Sequence, residues 1–258
     1  MSVRLYCPKV ILHRVSAPFS RIEGANAEAG TMISAVVFDL DDTLYDELEY
    51  CKSGLAAVSE FLASSWPSRP AGLIYDALWS QFAAGNRSRT FSAALDAIGI
   101  PHEEDQIQEL IAVYRGHVPK IALPADSRDV LSRLKADYRL ALLTDGFLPA
   151  QRLKVQTLGI EAYFETIVYT EELGRQCWKP SLAAFEKVIE TLNESPAQMV
   201  YVADNEEKDF IGPNRLGLSS VQIIRRARIH KGVAPDASAR ARHVIHDIQQ
   251  LPPLLAML

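Results

Sequence analysis

From Ile33 the chain reads ISAVVF, an apolar run rich in β-branched residues, and then turns acidic at DLDDTLYDE. A short continuous apolar run bounded by charge is the pattern of a strand buried on both faces that ends in a loop. Between residues 48 and 118 the apolar spacing becomes helical. Ile74, Ala77, Leu78 and Phe82 share one face, Phe91, Ala94, Leu95 and Ile98 another, and Ile107, Leu110, Ile111 and Tyr114 a third. Breaks at 67–72, 85–89 and 99–101 separate these stripes. After Pro124 helix and strand alternate. Val130, Leu131 and Leu134 mark a helix, YRLALLT a strand ending at Thr144, and 149–158 a helix stopped by Gly159. The strand TIVY at 166–169 precedes a helix over 181–192 with Leu182, Phe185, Val188, Ile189 and Leu192 inward. MVYVA at 199–203 and SVQII at 220–224 are further strands, and the tail HVIHDIQQLPPLLAML is a last strand or helix packed on the core. Strands alternating with single helices predict an α/β fold: a Rossmann-like parallel sheet with helices on both faces, carrying a small all-helical insert after its first strand.

In such a sheet ligands bind beyond the carboxyl ends of the strands, and the reactive residues of this chain collect there. Asp39 and Asp41 follow the first strand, Thr144 and Asp145 end the second, and Asp204 ends MVYVA, with Asp209 shortly after. Lys179 stands in GRQCWKPS, just ahead of the helix over 181–192. Taken singly, each has a plainer explanation. An acidic pair after a strand also suits a solvated turn, Thr144 a structural hydroxyl, Lys179 an exposed helix start, and Asp204 and Asp209 caps around a short helix PNRLG.

Composition narrows the partners. The 258 residues, 48% of them hydrophobic, suffice for one large α/β domain or two small ones. With 27 Lys plus Arg against 32 Asp plus Glu the formal net charge is −5, which argues against nucleic acid. The stretch IIRRARIHK, with Arg225, Arg226, Arg228 and Lys231, lacks interleaved aromatics and fits a solvated loop better than a polyanion site. No apolar run approaches the roughly 18 residues of a membrane span. Cys7, Cys51 and Cys177 are odd in number and lack ligand spacing, as do His243 and His246. This points to a reducing, cytoplasmic setting and away from structural zinc. Residues 1–32 stand apart: Arg4, Lys9, Arg14 and Arg21 all precede the first acid, Glu23. They read as a poorly ordered, dispensable extension; an organelle leader, or a chain start at Met32, are the alternatives.

Taken together, the segments resemble the four ordered motifs of the haloacid dehalogenase (HAD) superfamily, whose first motif is DxDx[TV] with an aspartate nucleophile. VVFDLDDTLYD supplies the first, LLTDG the second with Thr144, GRQCWKPS the third with Lys179, and YVADNEEKDF the fourth with Asp204 and Asp209. The resemblance runs from about residue 33 to the C-terminus. It implies a catalytic core formed by residues 33–47 and 119–258, and a C1-type helical cap at 48–118 that closes over a small phosphorylated metabolite. Ala203, where the family usually has glycine, Glu206 at a common proline position, and the bulky Trp178 before the lysine depart from the pattern without removing a reacting group.

The residue types suit phosphoryl transfer. Asp39 can attack phosphorus to give an aspartyl-phosphate. Asp41, protonated at first, can give its proton to the leaving alkoxide and then, as base, activate water. Thr144 would hold a phosphate oxygen and Lys179 would neutralise charge on the transferring group. Carboxylates this close repel, so a hard cation, Mg2+, is expected. By resemblance Asp39, the backbone carbonyl of Asp41, and Asp204 bind it, with Asp209 acting through water or by positioning Lys179. The expected activity is magnesium-dependent phosphomonoester hydrolysis by a monomer or homodimer. A 2-haloacid dehalogenase, a phosphomutase and a non-catalytic phosphometabolite-binding protein are the alternatives. In the insert Arg87 and Arg89 can reach an anionic substrate or be ordinary surface charges; Tyr45, Asp46 and Glu47 form a hinge or contact the leaving group; Trp178 walls the pocket or covers the core edge.

Overall fold

The computed structural model describes residues 32–258, so the expected extension lies outside the described residues except for Met32. Six strands pair in parallel in the order β3-β2-β1-β4-β5-β6. They are β1 (Ala35–Phe38), β2 (Arg139–Thr144), β3 (Thr166–Tyr169), β4 (Met199–Ala203), β5 (Ser219–Ile223) and β6 (His243–Ile245). The central β1 is sheathed on both faces, which is why its sequence is apolar without alternation. Val36 and Phe38 pack on one side with α5 (Ala125–Asp137), α6 (Ala150–Leu158) and α9 (Leu251–Leu255). Ala35 and Val37 face the opposite side with α7 (Leu182–Leu192), through Ala184, Phe185, Val188 and Leu192, and with Phe210, which precedes α8 (Ile211–Leu216).

Between β1 and α5 the chain forms α1 (Glu47–Ser65), α2 (Ala71–Ala83), α3 (Thr90–Ala97) and α4 (Glu104–Gly116). They bury a separate apolar cluster that includes Leu55, Val58, Leu62, Ile74, Leu78, Leu95 and Leu110. Each stripe read from the sequence contributes to it. Gly54 lets α1 approach α4: a Cβ at this position would lie 2.4 Å from the Tyr114 ring. Gly159 ends α6 at φ 64°, the left-handed backbone that glycine adopts without steric cost.

Two elements differ from the sequence expectation. The tail holds both a strand, β6, and a helix, α9. Between β5 and β6 no helix intervenes beyond one short turn at Ala237–Ala239; the segment wraps over the sheet end instead. Its Arg225, read as a solvated charge, is only 11% exposed. It donates to the Thr43 and Leu44 carbonyls and to Ser127 Oγ, because the reversal after β1 leaves those carbonyls without strand partners. Among the described residues no helix is long and apolar enough to cross a membrane.

Candidate active site

The Asp39 N–H donates to the Val202 carbonyl at 2.9 Å, so the β1–β4 ladder continues one residue past the strand and fixes the Asp39 backbone. The chain then reverses. Leu44 N–H reaches back to the Leu40 carbonyl, and Asp42 takes φ 52°, a conformation that aspartate tolerates better than most residues. The Asp42 carboxylate accepts from Glu47 N–H at 2.9 Å and Ile229 N–H at 2.6 Å, which ties the reversal to α1 and to the β5–β6 segment.

The carboxyl ends of β1, β2 and β4 thereby gather Asp39, Thr144 and Asp204, while the segment before α7 brings in Lys179. Lys179 Nζ lies 2.7 Å from Asp39 Oδ1, with its side chain wholly buried. It donates to Tyr201 Oη at 3.1 Å and stands 2.8 Å from Asp209 Oδ1, an ion pair without hydrogen-bond alignment. Burial, outweighing the pull of Lys179 and reinforced by Asp209, raises Asp39 to about 6, so it is mostly ionised at neutral pH.

Asp39, Asp204 and Asp209 each offer a carboxylate oxygen within 4.8 Å of the others. Asp204 Oδ2 is buried with no hydrogen-bond partner, and burial together with Asp209 and Asp39 pushes this carboxyl up to about 9. A buried, oxygen-only donor set of one sign, with the Asp204 oxygen unpartnered, fits a hard divalent cation such as Mg2+.

Asp41 lies outside that cluster. Lys154 Nζ donates to both of its oxygens, at 2.8 and 2.9 Å, Tyr45 Oη donates at 2.6 Å and Gln151 Nε2 at 3.0 Å. Burial pushes Asp41 upward, but the Lys154 charge and these hydrogen bonds hold it below the usual carboxylate range. This arrangement favours the ionised form of Asp41, whereas the sequence expectation has it protonated at the start of the reaction. Gln151 Nε2 also donates to Thr144 Oγ1 at 2.6 Å, which occupies a lone pair and leaves the hydroxyl proton free to be donated elsewhere.

The family of haloacid dehalogenase-like hydrolases matches residues 33–217. The chain belongs to it. Among curated relatives, the glyceraldehyde 3-phosphate phosphatase of Methanopyrus kandleri is 29% identical over 75% of this chain and 85% of its own length. The N-acylneuraminate-9-phosphatase of Rattus norvegicus is 26% identical over 86% of this chain and 94% of its own. Among solved structures, a 2-haloacid dehalogenase from Pseudomonas syringae pv. Tomato DC3000 superposes with a TM-score of 0.59 at 25% identity, covering 88% of this chain and 99% of that one.

In this HAD-like hydrolase the sequence pattern did not single out two buried site residues, Gln151 and Lys154, or the partly exposed Lys208. Lys154 and Gln151 sit on the inward face of α6 beside Ala150, Val155 and Leu158, so two polar residues at core positions of a helix were the available signal. Lys208 donates to Asp145 Oδ2 at 3.1 Å, and Asp145 Oδ1 accepts from Thr170 Oγ1 at 2.9 Å, so Asp145 is an anchor within the site. A cavity of about 510 Å3 opens from Asp41 toward α1–α4, and Glu47, Arg87 and Arg89 line it. Tyr45 is buried against Asp41, and Trp178 backs the wall through an edge-to-face contact with Phe147 at 5.2 Å.

Proposed function

We propose that this HAD-like hydrolase is a phosphatase that cleaves a small phosphomonoester in two steps through an aspartyl-phosphate on Asp39. The observation that carries this reading is Asp39 held 2.7 Å from the buried Lys179 ammonium, beside the unpartnered oxygen of Asp204. The Asp39 carboxylate attacks phosphorus as the bond to the alkoxide breaks, and Asp41 delivers the proton that the alkoxide needs. To do so Asp41 leaves Lys154, and its burial, no longer offset by that charge, then favours the protonated form. In the second step Asp41 takes a proton from water, which attacks the phosphorus, releases inorganic phosphate and restores Asp39. Thr144 donates its hydroxyl proton to a phosphoryl oxygen, and Lys179 balances charge on the transferring group.

Asp39, the Asp41 carbonyl and Asp204 would hold Mg2+, with Asp209 orienting Lys179. When bound, the ion supplies charge neutralisation between the carboxylates and the phosphoryl oxygens. Residues 48–118, which hold all of α1–α4 except Glu47, serve as a cap that excludes water from the cavity. The names of the two phosphatases similar to this chain favour a phosphorylated metabolite as substrate.

The test is phosphate release from p-nitrophenyl phosphate and a panel of sugar, nucleotide and organic-acid phosphates, with magnesium and with chelator. Asp39→Asn is expected to abolish release while preserving the fold, as read by circular dichroism. Release surviving in Asp39→Asn overturns the nucleophile assignment; halide release from 2-chloropropionate under chelator, without phosphate release, replaces the reading by dehalogenation.

A further inference from the structure

The machinery around Asp39 accounts for the phosphoryl end of a substrate. The rest of the cavity bears on the leaving group. Its charged carboxylates are answered, Asp41 by Lys154 and Asp145 by Lys208, while burial and the neighbouring Asp41 push Glu47 up to about 8, with His230 Nε2 3.6 Å away. The arginines of the cavity are not answered. Among the described residues Arg87, Arg89 and Arg115 have no carboxylate within ion-pair distance, although all three line the cavity. Arg87 spends one donor on the Ile229 carbonyl at 3.2 Å, and both Arg87 and Arg89 are exposed.

Arg115 differs from both. It sits in the last turn of α4, half-buried, with its guanidinium carbon 3.4 Å from the centroid of Phe147, directly after the second motif. At that distance the guanidinium lies over the ring face, and a guanidinium so held offers the planar fork of N–H groups that matches a carboxylate or phosphoryl group. Arg175 approaches the same ring at 4.5 Å. Two cations on one aromatic ring repel, and both burial and Arg175 lower the proton affinity of Arg115. A buried anion would relieve both costs. Leu55, Phe82, Phe91 and Ile111 supply apolar wall between these polar groups.

We propose that Arg115 is a specificity-determining residue that binds a second anionic group on the leaving group, so that the preferred substrates are phosphomonoesters carrying a carboxylate or another phosphoryl group. This rests on the phosphatase reading, and the test is chosen to separate the two. Phosphonates cannot be hydrolysed as esters, so their binding reports recognition without turnover. Calorimetric titration of the full chain with magnesium would compare propyl- and pentylphosphonate with 3-phosphonopropionate, 5-phosphonopentanoate and the matching diphosphonates. The expected result is that a doubly anionic ligand binds about tenfold tighter or more than its alkyl counterpart, the gain of one charge-assisted fork. Preference for the carboxylates assigns an acid phosphate and preference for the diphosphonates a bisphosphate; either supports the proposal. Arg115→Gln is expected to erase the preference and Arg115→Lys to restore part of it. Equal affinities in the unmodified protein overturn the proposal without recourse to any variant, and so does a preference that survives Arg115→Gln. Selective phosphonate binding with no ester turned over retains Arg115 and removes the reaction; turnover with unselective binding does the reverse.

Discussion

A lysine with 4% of its side chain exposed, bonded to both oxygens of one carboxylate, is costly to desolvate and pairs with Asp41 for that reason. Lys154→Met leaves Asp41 buried without its counter-charge. The expected cost is about 3 kcal/mol or more in urea denaturation, and Asp41→Asn in the same background should recover part of it. A structure in which Lys154 acts only as packing would instead give additive losses. The acids Asp39, Asp41 and Asp204 were legible because each lies at the end of an apolar run, where the sequence itself announces the strand terminus. Lys154 and Arg115 reach the same space from helices, and their relation to Asp41 and Phe147 exists only once the helices are packed. Lys154 left a trace, a charge beside Gln151 on an inward face otherwise apolar; Arg115, one residue past the apolar stripe that ends at Tyr114, left none.

At the level of elements, β1–β5 were legible within a residue or two, since β1 and β4, for example, are buried on both faces and so carry uninterrupted apolar sequence, whereas the sequence of β6 fits a strand or a helix. The β5–β6 segment was not legible. Its arginines look solvated in sequence, yet Arg225 caps carbonyls exposed by the reversal at Leu40–Leu44. Arg225→Ala is expected to destabilise by about 2 kcal/mol, the loss of several hydrogen bonds to a charged donor, measured as a lower urea midpoint. Arg226→Ala, an exposed neighbour, should change it by less than about 0.5 kcal/mol. Gly54→Ala places a methyl group against Tyr114 and should loosen α1 from α4, seen as a fall in melting temperature.

Across the whole molecule the acidic cluster couples stability to pH. Asp204 stands at about 9 in the folded chain against an ordinary value of 3.8, so between these values the native state holds a proton that the unfolded chain has released. Stability without metal therefore falls as pH rises through that window, by at most about 1.4 kcal/mol per pH unit from this group. Mg2+ bound at Asp39 and Asp204 would remove the penalty, so the gain in melting temperature on adding magnesium should grow from pH 5 to pH 8 in differential scanning fluorimetry. A gain that shrinks over that range rules out Asp204 as a ligand.

β1 pairs directly with β2, Ala35 opposite Arg139, although all of α1–α5 intervenes in the chain. Joining those strands from an unfolded chain means closing a long loop, with an entropic cost that rises with the length left unstructured. The apolar cluster of α1–α4 is made of local contacts and can collapse before the sheet exists. Once formed it draws the flanks of the insert together and shortens the effective loop. The helices over the cavity would then also set the pace of folding, and Gly54→Ala should slow refolding more than it speeds unfolding in stopped-flow chevron measurements.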